Sequence, residues 1–92
     1  MATCKVLVSE ALRVYTGGKA KIGGDGGSVA EVFAGVAGEY PELMRHVFSE
    51  TGRMRNGMTV FLNGADIRFG GGLQAAVKDG DTLNLHAPLL VG

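Results

Sequence analysis

Polar and apolar residues alternate at the start of the chain, with Cys4, Val6 and Val8 on one side and Lys5, Leu7 and Ser9 on the other. This period of two predicts a half-buried first strand over Cys4–Ser9. After a turn region through Thr16-Gly17-Gly18, Lys19-Ala20-Lys21-Ile22 alternates charge with apolar bulk, predicting a second strand antiparallel to the first. The period then changes. Val29, Val32, Phe33 and Val36 recur at the spacing of one buried helical stripe, and Ser28 with Glu31 has the form of a capping box at its start. Tyr40-Pro41 interrupts this helix, because proline lacks an N–H and disfavours helix in the residue before it. Pro41 opens a second helix over Glu42–Ser49, with Leu43 and Val47 facing inward and Met44 and Phe48 candidates to join them.

Beyond an exposed basic connection at Thr51–Gly57, Met58–Leu62 is the strongest strand, closed by Asn63-Gly64, a dipeptide suited to a positive-φ hairpin turn. Asp66-Ile67-Arg68-Phe69 is expected to be the short return strand, ended by Gly70-Gly71-Gly72. Leu73–Val77 reads as a turn or helical fragment, and Asp79-Gly80-Asp81 as a tight turn into a last strand at Thr82–Ala87. Helical segments laid over one face of a mixed sheet make an α+β domain, and the order of elements fits a β-grasp fold. The domain is expected to span 1–87, followed by a short apolar tail at 88–92 that ends in Gly92. Glycine without a Cβ lets a terminal carbonyl enter a narrow channel. The α-carboxylate of Gly92 is therefore the expected reactive group, offered to the active site of another protein.

Composition narrows the classes. Ninety-two residues make one small domain, and nine basic against nine acidic side chains leave no net charge to draw the chain to nucleic acid or anionic membranes. No apolar run reaches the ~20 residues of a membrane helix, and the lone Cys4 cannot form an internal disulfide. The expectation is a cytoplasmic protein without nucleic-acid or membrane partners. Gly23–Ser28 sits where a phosphate-binding loop would, but it lacks the lysine and places Asp25 where phosphate would be repelled, so it reads as a flexible connection. Cys4, His46 and His86 lie in separate elements without ligand spacing, so no metal site is expected, and a single cysteine excludes an iron–sulfur cluster. His46 reads as helix surface and Cys4 as core. No nucleophile–base pair stands out, so no intrinsic catalysis and no bound cofactor are expected.

Asn63-Gly64, Asp66-Ile67-Arg68-Phe69, Gly71-Gly72-Leu73, Asp79-Gly80-Asp81 and a proline shortly before a C-terminal glycine occur in this order from Val60 to Gly92. Together they resemble the MoaD/ThiS family of ubiquitin-like sulfur carriers, and the element order extends the resemblance over nearly the whole chain. The resemblance implies a β-grasp domain whose terminal glycine is adenylated with ATP by an E1-like adenylyltransferase. Sulfur from a donor then displaces AMP and leaves a thiocarboxylate for an acceptor enzyme of molybdopterin (pterin), thiamine (thiazole), cysteine or tRNA biosynthesis. Some relatives instead conjugate to lysine. The family usually ends in Gly-Gly, whereas this chain ends Val91-Gly92. Three explanations stay open: a partner with a relaxed channel, a longer natural chain, or loss of activation.

With Val6, Val8, Ile22, Val60, Leu62, Leu83 and Leu85 turned toward the helices, the pleat sends Leu7, Phe61, Asn84 and His86 to the opposite face. Leu7 and Phe61 are expected to form a small apolar patch that docks on the activating enzyme while Leu89, Leu90 and Val91 thread toward its nucleotide. The plainer alternative is partly covered sheet surface. Arg68 either meets an acidic partner or covers the sheet edge in solvent. The competing function is an interaction module that binds through this face and needs no free terminus.

Overall fold

The structure, a computed structural model, describes residues 2–51, 53–55 and 57–87. The tail expected at 88–92 lies outside the described residues, so Leu89, Leu90, Val91 and Gly92 have no structural description. The elements run β1 (Thr3–Val8), β2 (Lys21–Asp25), α1 (Val29–Glu39), α2 (Pro41–Val47), β3 (Thr59–Leu62), β4 (Ala65–Asp66) and β5 (Thr82–His86), with short 3-10 helices between some of them. The strands form one sheet in the order β2-β1-β5-β3-β4. β1 and β5 pair in parallel at its centre, and the other pairs are antiparallel. Both helices cover one face. This is the β-grasp arrangement of an α+β domain.

β1, β2, β3 and β5 contribute alternate residues to the core. Val6, Val60, Leu83 and Leu85 are fully buried beneath Val29 and Val32 of α1 and Leu43 and Val47 of α2. Leu62 is half-buried against the same cluster. The start of α1 is fixed by the Ser28 hydroxyl, which accepts from Glu31 N at 3.2 Å. Glu31 does not reach back to Ser28; its carboxylate accepts from Gly27 N at 2.9 Å, one residue further out. Asn63 (φ 51°) and Gly64 (φ 87°) form the expected left-handed hairpin turn between β3 and β4.

Several boundaries differ from expectation, each for a local reason. β2 does not end at Ile22 but continues through Gly23 and Gly24 to Asp25, so this run is strand and not a flexible connection. α1 crosses β2 closely enough that a Cβ on Gly24 would lie 2.7 Å from Val32 Cγ1. Between β1 and β2 the chain forms a 3-10 helix, Glu10–Thr16, where a turn is expected, because Leu12 and Thr16 are buried. α2 stops at Val47, since Phe48 turns extended and forms an antiparallel bridge with Met54. The return strand is only Ala65–Asp66. Ile67–Phe69 turns away as a 3-10 helix because the Asp66 side chain accepts from Arg68 N at 2.9 Å while Ile67 drops into the core.

Candidate functional site

The sheet face away from the helices carries the residues singled out from the pleat. The registers place Lys21 beside Leu7 and Leu7 beside Asn84, then Asn84 beside Phe61 and Phe61 beside Asp66. One row of side chains thus crosses all strands of the sheet. Leu7 and Phe61 are half-buried and share the face, but they are not on neighbouring strands: they flank β5 with Asn84 between them. Two strand spacings put their backbones about 10 Å apart. The aromatic neighbour of Phe61 on this face is His86, the two rings edge-on at a centroid distance of 6.5 Å. Thr59 faces His86 from β3. The patch is therefore polar at its centre, with Leu7 on one side and Phe61–His86 on the other.

Its rim is set by β4. Arg68 donates from Nε and Nη2 to the Asp66 carboxylate, with Nη2 at 2.7 Å from Oδ2. These hydrogen bonds, led by the side-chain pair, hold the Asp66 carboxyl below its ordinary value and push Arg68 up. The guanidinium is neutralised within its own turn, which favours solvent-facing cover over a charge held out for a partner. Its carbon centre also lies 5.8 Å from the Phe69 ring centroid. Phe69 is 87% exposed, the most exposed large apolar side chain among the described residues, and sequence alternation hid it by assigning it to a strand. Gly70-Gly71-Gly72 directly after it is the signal that a turn, and not a strand, ends the hairpin.

The root of the tail is anchored at the end of β5. Ser9 N donates to Leu85 O at 3.1 Å, and Ala87 N donates to Ser9 Oγ at 3.2 Å. Ser9 escaped sequence reasoning because its role depends on a residue 78 positions away in the chain. Ala87, the last described residue, is therefore held beside the end of β1, next to His86.

The remaining reactive side chains lie elsewhere. Cys4 faces the core at 3% exposure, and burial, then Asp25 and Asp81, push its thiol up, away from the thiolate a sulfur nucleophile needs. His46 sits on the surface of α2, stacked on Tyr15 at 4.1 Å between ring centroids with Nε2 2.9 Å from the phenol oxygen. Among the described residues, no three His, Cys, Asp or Glu side chains converge to hold a metal ion, and no helix is long and apolar enough to cross a membrane. The outer face thus combines Leu7 and the Phe61–His86 pair around a polar centre, with Ala87 tied to Ser9 at its border.

No family model matches the chain. It is 27% identical over 82 residues to the sulfur carrier protein CysO of Mycobacterium tuberculosis, covering 87% of this chain and 88% of that one. Among solved structures, a chain of the Amycolatopsis orientalis BexX/CysO complex superposes with a TM-score of 0.86 at 31% identity, covering 97% of this chain and 99% of the other. The small archaeal modifier protein 1 of Methanosarcina acetivorans superposes with a TM-score of 0.85 at 26% identity, covering 100% and 98%.

Proposed function

The chain belongs to the MoaD/ThiS family of ubiquitin-like sulfur carriers, and we propose that it carries sulfur as a thiocarboxylate on the α-carboxylate of Gly92. In this reading an E1-like partner joins the carboxylate to AMP from ATP, releasing pyrophosphate. A sulfur donor then attacks the acyl carbon, AMP leaves, and the C-terminal oxygen is replaced by sulfur. The protein is a co-substrate: it binds no cofactor itself, and the acceptor enzyme takes the sulfur while water supplies the oxygen that restores the carboxylate. A cytoplasmic setting, where the activating partner and ATP are at hand, goes with this role. The observation that carries the reading is the end-to-end likeness to CysO, in sequence and in fold.

The domain, residues 1–87, would dock by its outer sheet face while Leu89, Leu90 and Val91 lead Gly92 into the partner's channel. Leu7 and the Phe61–His86 pair are the proposed apolar contacts, with Arg68 at their rim. That a CysO has been crystallised in a complex with BexX supports a protein partner for this chain. A channel serving this chain must pass β-branched Val91 one residue before the reacting carbonyl.

Intact mass of the protein from its own cells tests this directly, and also defines the natural C-terminus. The expected result, on incubation with the E1-like partner, ATP and a sulfur donor, is a gain equal to replacing one oxygen by sulfur, localised by fragmentation to Gly92. One residue added after Gly92 should abolish the gain. Phe61→Glu should reduce partner affinity by at least about tenfold with the fold intact. An unmodified terminus in the presence of all components would refute the carrier chemistry. Likeness to a small archaeal modifier favours one second reading, conjugation of the same activated glycine to lysine, which the same spectra would show as a branched peptide.

A further inference from the structure

The sheet has one long free edge, β2, and its sequence Lys21-Ile22-Gly23-Gly24-Asp25 places opposite charges at equal distances on either side of Gly23. Lys5 N donates to Asp81 O on the β5 side, whereas Val8 N donates to Ala20 O and Gly26 N to Ala2 O across the β1–β2 ladder. Residues alternate in direction along a strand, so Ile22 and Gly24 turn their backbone groups to β1. Lys21, Gly23 and Asp25 turn theirs outward. Among the described residues these outward groups have no backbone partner.

We propose that this edge joins two copies of the chain, β2 pairing antiparallel with β2 about a two-fold axis at Gly23. Lys21 then lies opposite the partner's Asp25, Gly23 opposite the partner's Gly23, and Asp25 opposite the partner's Lys21. All are hydrogen-bonded positions, so each pair exchanges both of its N–H···O bonds. Lys21 and Asp25 project to the same face of the sheet, so the charges meet directly across the join. Charged edges usually repel a second strand. Here the charges select one pairing, because a parallel in-register join sets Lys21 against Lys21 and Asp25 against Asp25.

Two further features suit the edge to a second copy. No atom lies within 4 Å of where a Gly23 Cβ would be, so the axis is open. The flank of α1 above the edge presents Gly35, whose Cβ would stand 4.0 Å from Asp25 O, so a glycine rather than a side chain lies over that end of the edge. The join is isologous and leaves the outer-face row around Phe61 and the end of β5 uncovered, so it is independent of the carrier reading. A contact this small places dissociation in about the micromolar-to-millimolar range.

The test is amide hydrogen exchange by NMR together with sedimentation equilibrium, at protein concentrations from about 10 μM to about 1 mM. The expected result is a dimer at high concentration. Protection of the Lys21, Gly23 and Asp25 amides rises with it by at least about tenfold, while Ile22 and Gly24 are protected throughout. Gly23→Pro, tolerated at an edge whose N–H faces solvent, should leave a monomer. Lys21→Glu should weaken association by about tenfold, and Lys21→Glu with Asp25→Lys should restore it. A monomer at the highest concentration would overturn the proposal. So would a dimer in which these amides still exchange freely, or a double variant no stronger than Lys21→Glu alone.

Discussion

Gly24→Ala is expected to destabilise the domain while Gly23→Ala, one residue away, stabilises it. A methyl group on Gly24 would stand 2.7 Å from Val32 Cγ1, 3.3 Å from Val6 Cγ2 and 3.5 Å from Cys4 Sγ. Carbon atoms pack best at about 3.5–4.0 Å, and the Val32 side chain on a helix has essentially one χ1 available, so the overlap is relieved only by moving α1 away from the sheet. Overpacking of this kind costs about 1–3 kcal/mol. Replacing glycine by alanine returns about 0.4–1 kcal/mol by restricting the unfolded chain. The net loss is about 1–2 kcal/mol, a drop in Tm of roughly 4–16 °C for a domain of this size. At Gly23 nothing lies within 4 Å of the added methyl, so only the gain remains and Tm should rise by a few degrees. The assay is thermal and urea unfolding followed by circular dichroism at about 10 μM, where the chain is expected to be monomeric. Val32→Ala introduced with Gly24→Ala should recover at least about 1 kcal/mol relative to the sum of the single changes. Equal shifts for the two glycines, or additivity with Val32→Ala, would refute the claim that α1 rests on a bare backbone at Gly24.

The remaining predictions concern titratable groups. The Asp81 carboxylate accepts from Asn63 Nδ2 at 3.0 Å and Lys78 N at 2.8 Å, which hold it below its ordinary 3.8. A depressed folded pKa contributes stability that is fully present above the unfolded value and lost as pH falls through the folded one. Urea unfolding between about pH 5 and pH 3 should therefore fall more steeply in the parent than in Asp81→Asn, and parallel curves would remove Asp81 from the acid response. Cys4, buried and pushed up, should react with iodoacetamide at about pH 8 at least about a hundredfold more slowly in the native protein than in urea. Equal rates would place the thiol at the surface and reopen it as a sulfur site.

Most of the architecture is legible because it rests on repeated local signals. The valine stripe of α1, Ser28 at its start, Asn63-Gly64 and the alternation of β1, β3 and β5 each state one element through several residues, and each stands in the structure. The order of the strands is not local. Nothing in Cys4–Ser9 marks Thr82–Ala87 as its neighbour, so that order is visible only in the structure. Where the reading erred, a close contact or a side-chain hydrogen bond decided the outcome. Gly23-Gly24 looked like a linker because glycine is poor in strands, yet the approach of α1 requires it at Gly24. Asp66-Ile67-Arg68-Phe69 alternates like a strand, but the Asp66 carboxylate closes a turn through Arg68 and leaves Phe69 in solvent. The outer face was legible by parity alone; the separation of Leu7 from Phe61 by Asn84 needed the register.

The parallel pairing of β1 with β5 also governs how the domain bears force. Lys5 lies beside Thr82 and Val8 beside Leu85, so the Thr3 end of β1 and the His86 end of β5 are at opposite ends of their shared ladder. A pull that draws the tail away from the N-terminal end loads those hydrogen bonds side by side, in shear, and the ladder to β3 shares the strain. Bonds loaded together must fail together, whereas a peeled hairpin gives way one rung at a time. If the chain acts as proposed, with its last residues drawn into a partner's channel, tension applied between that end and the N-terminal end would run along the strongest direction of the fold.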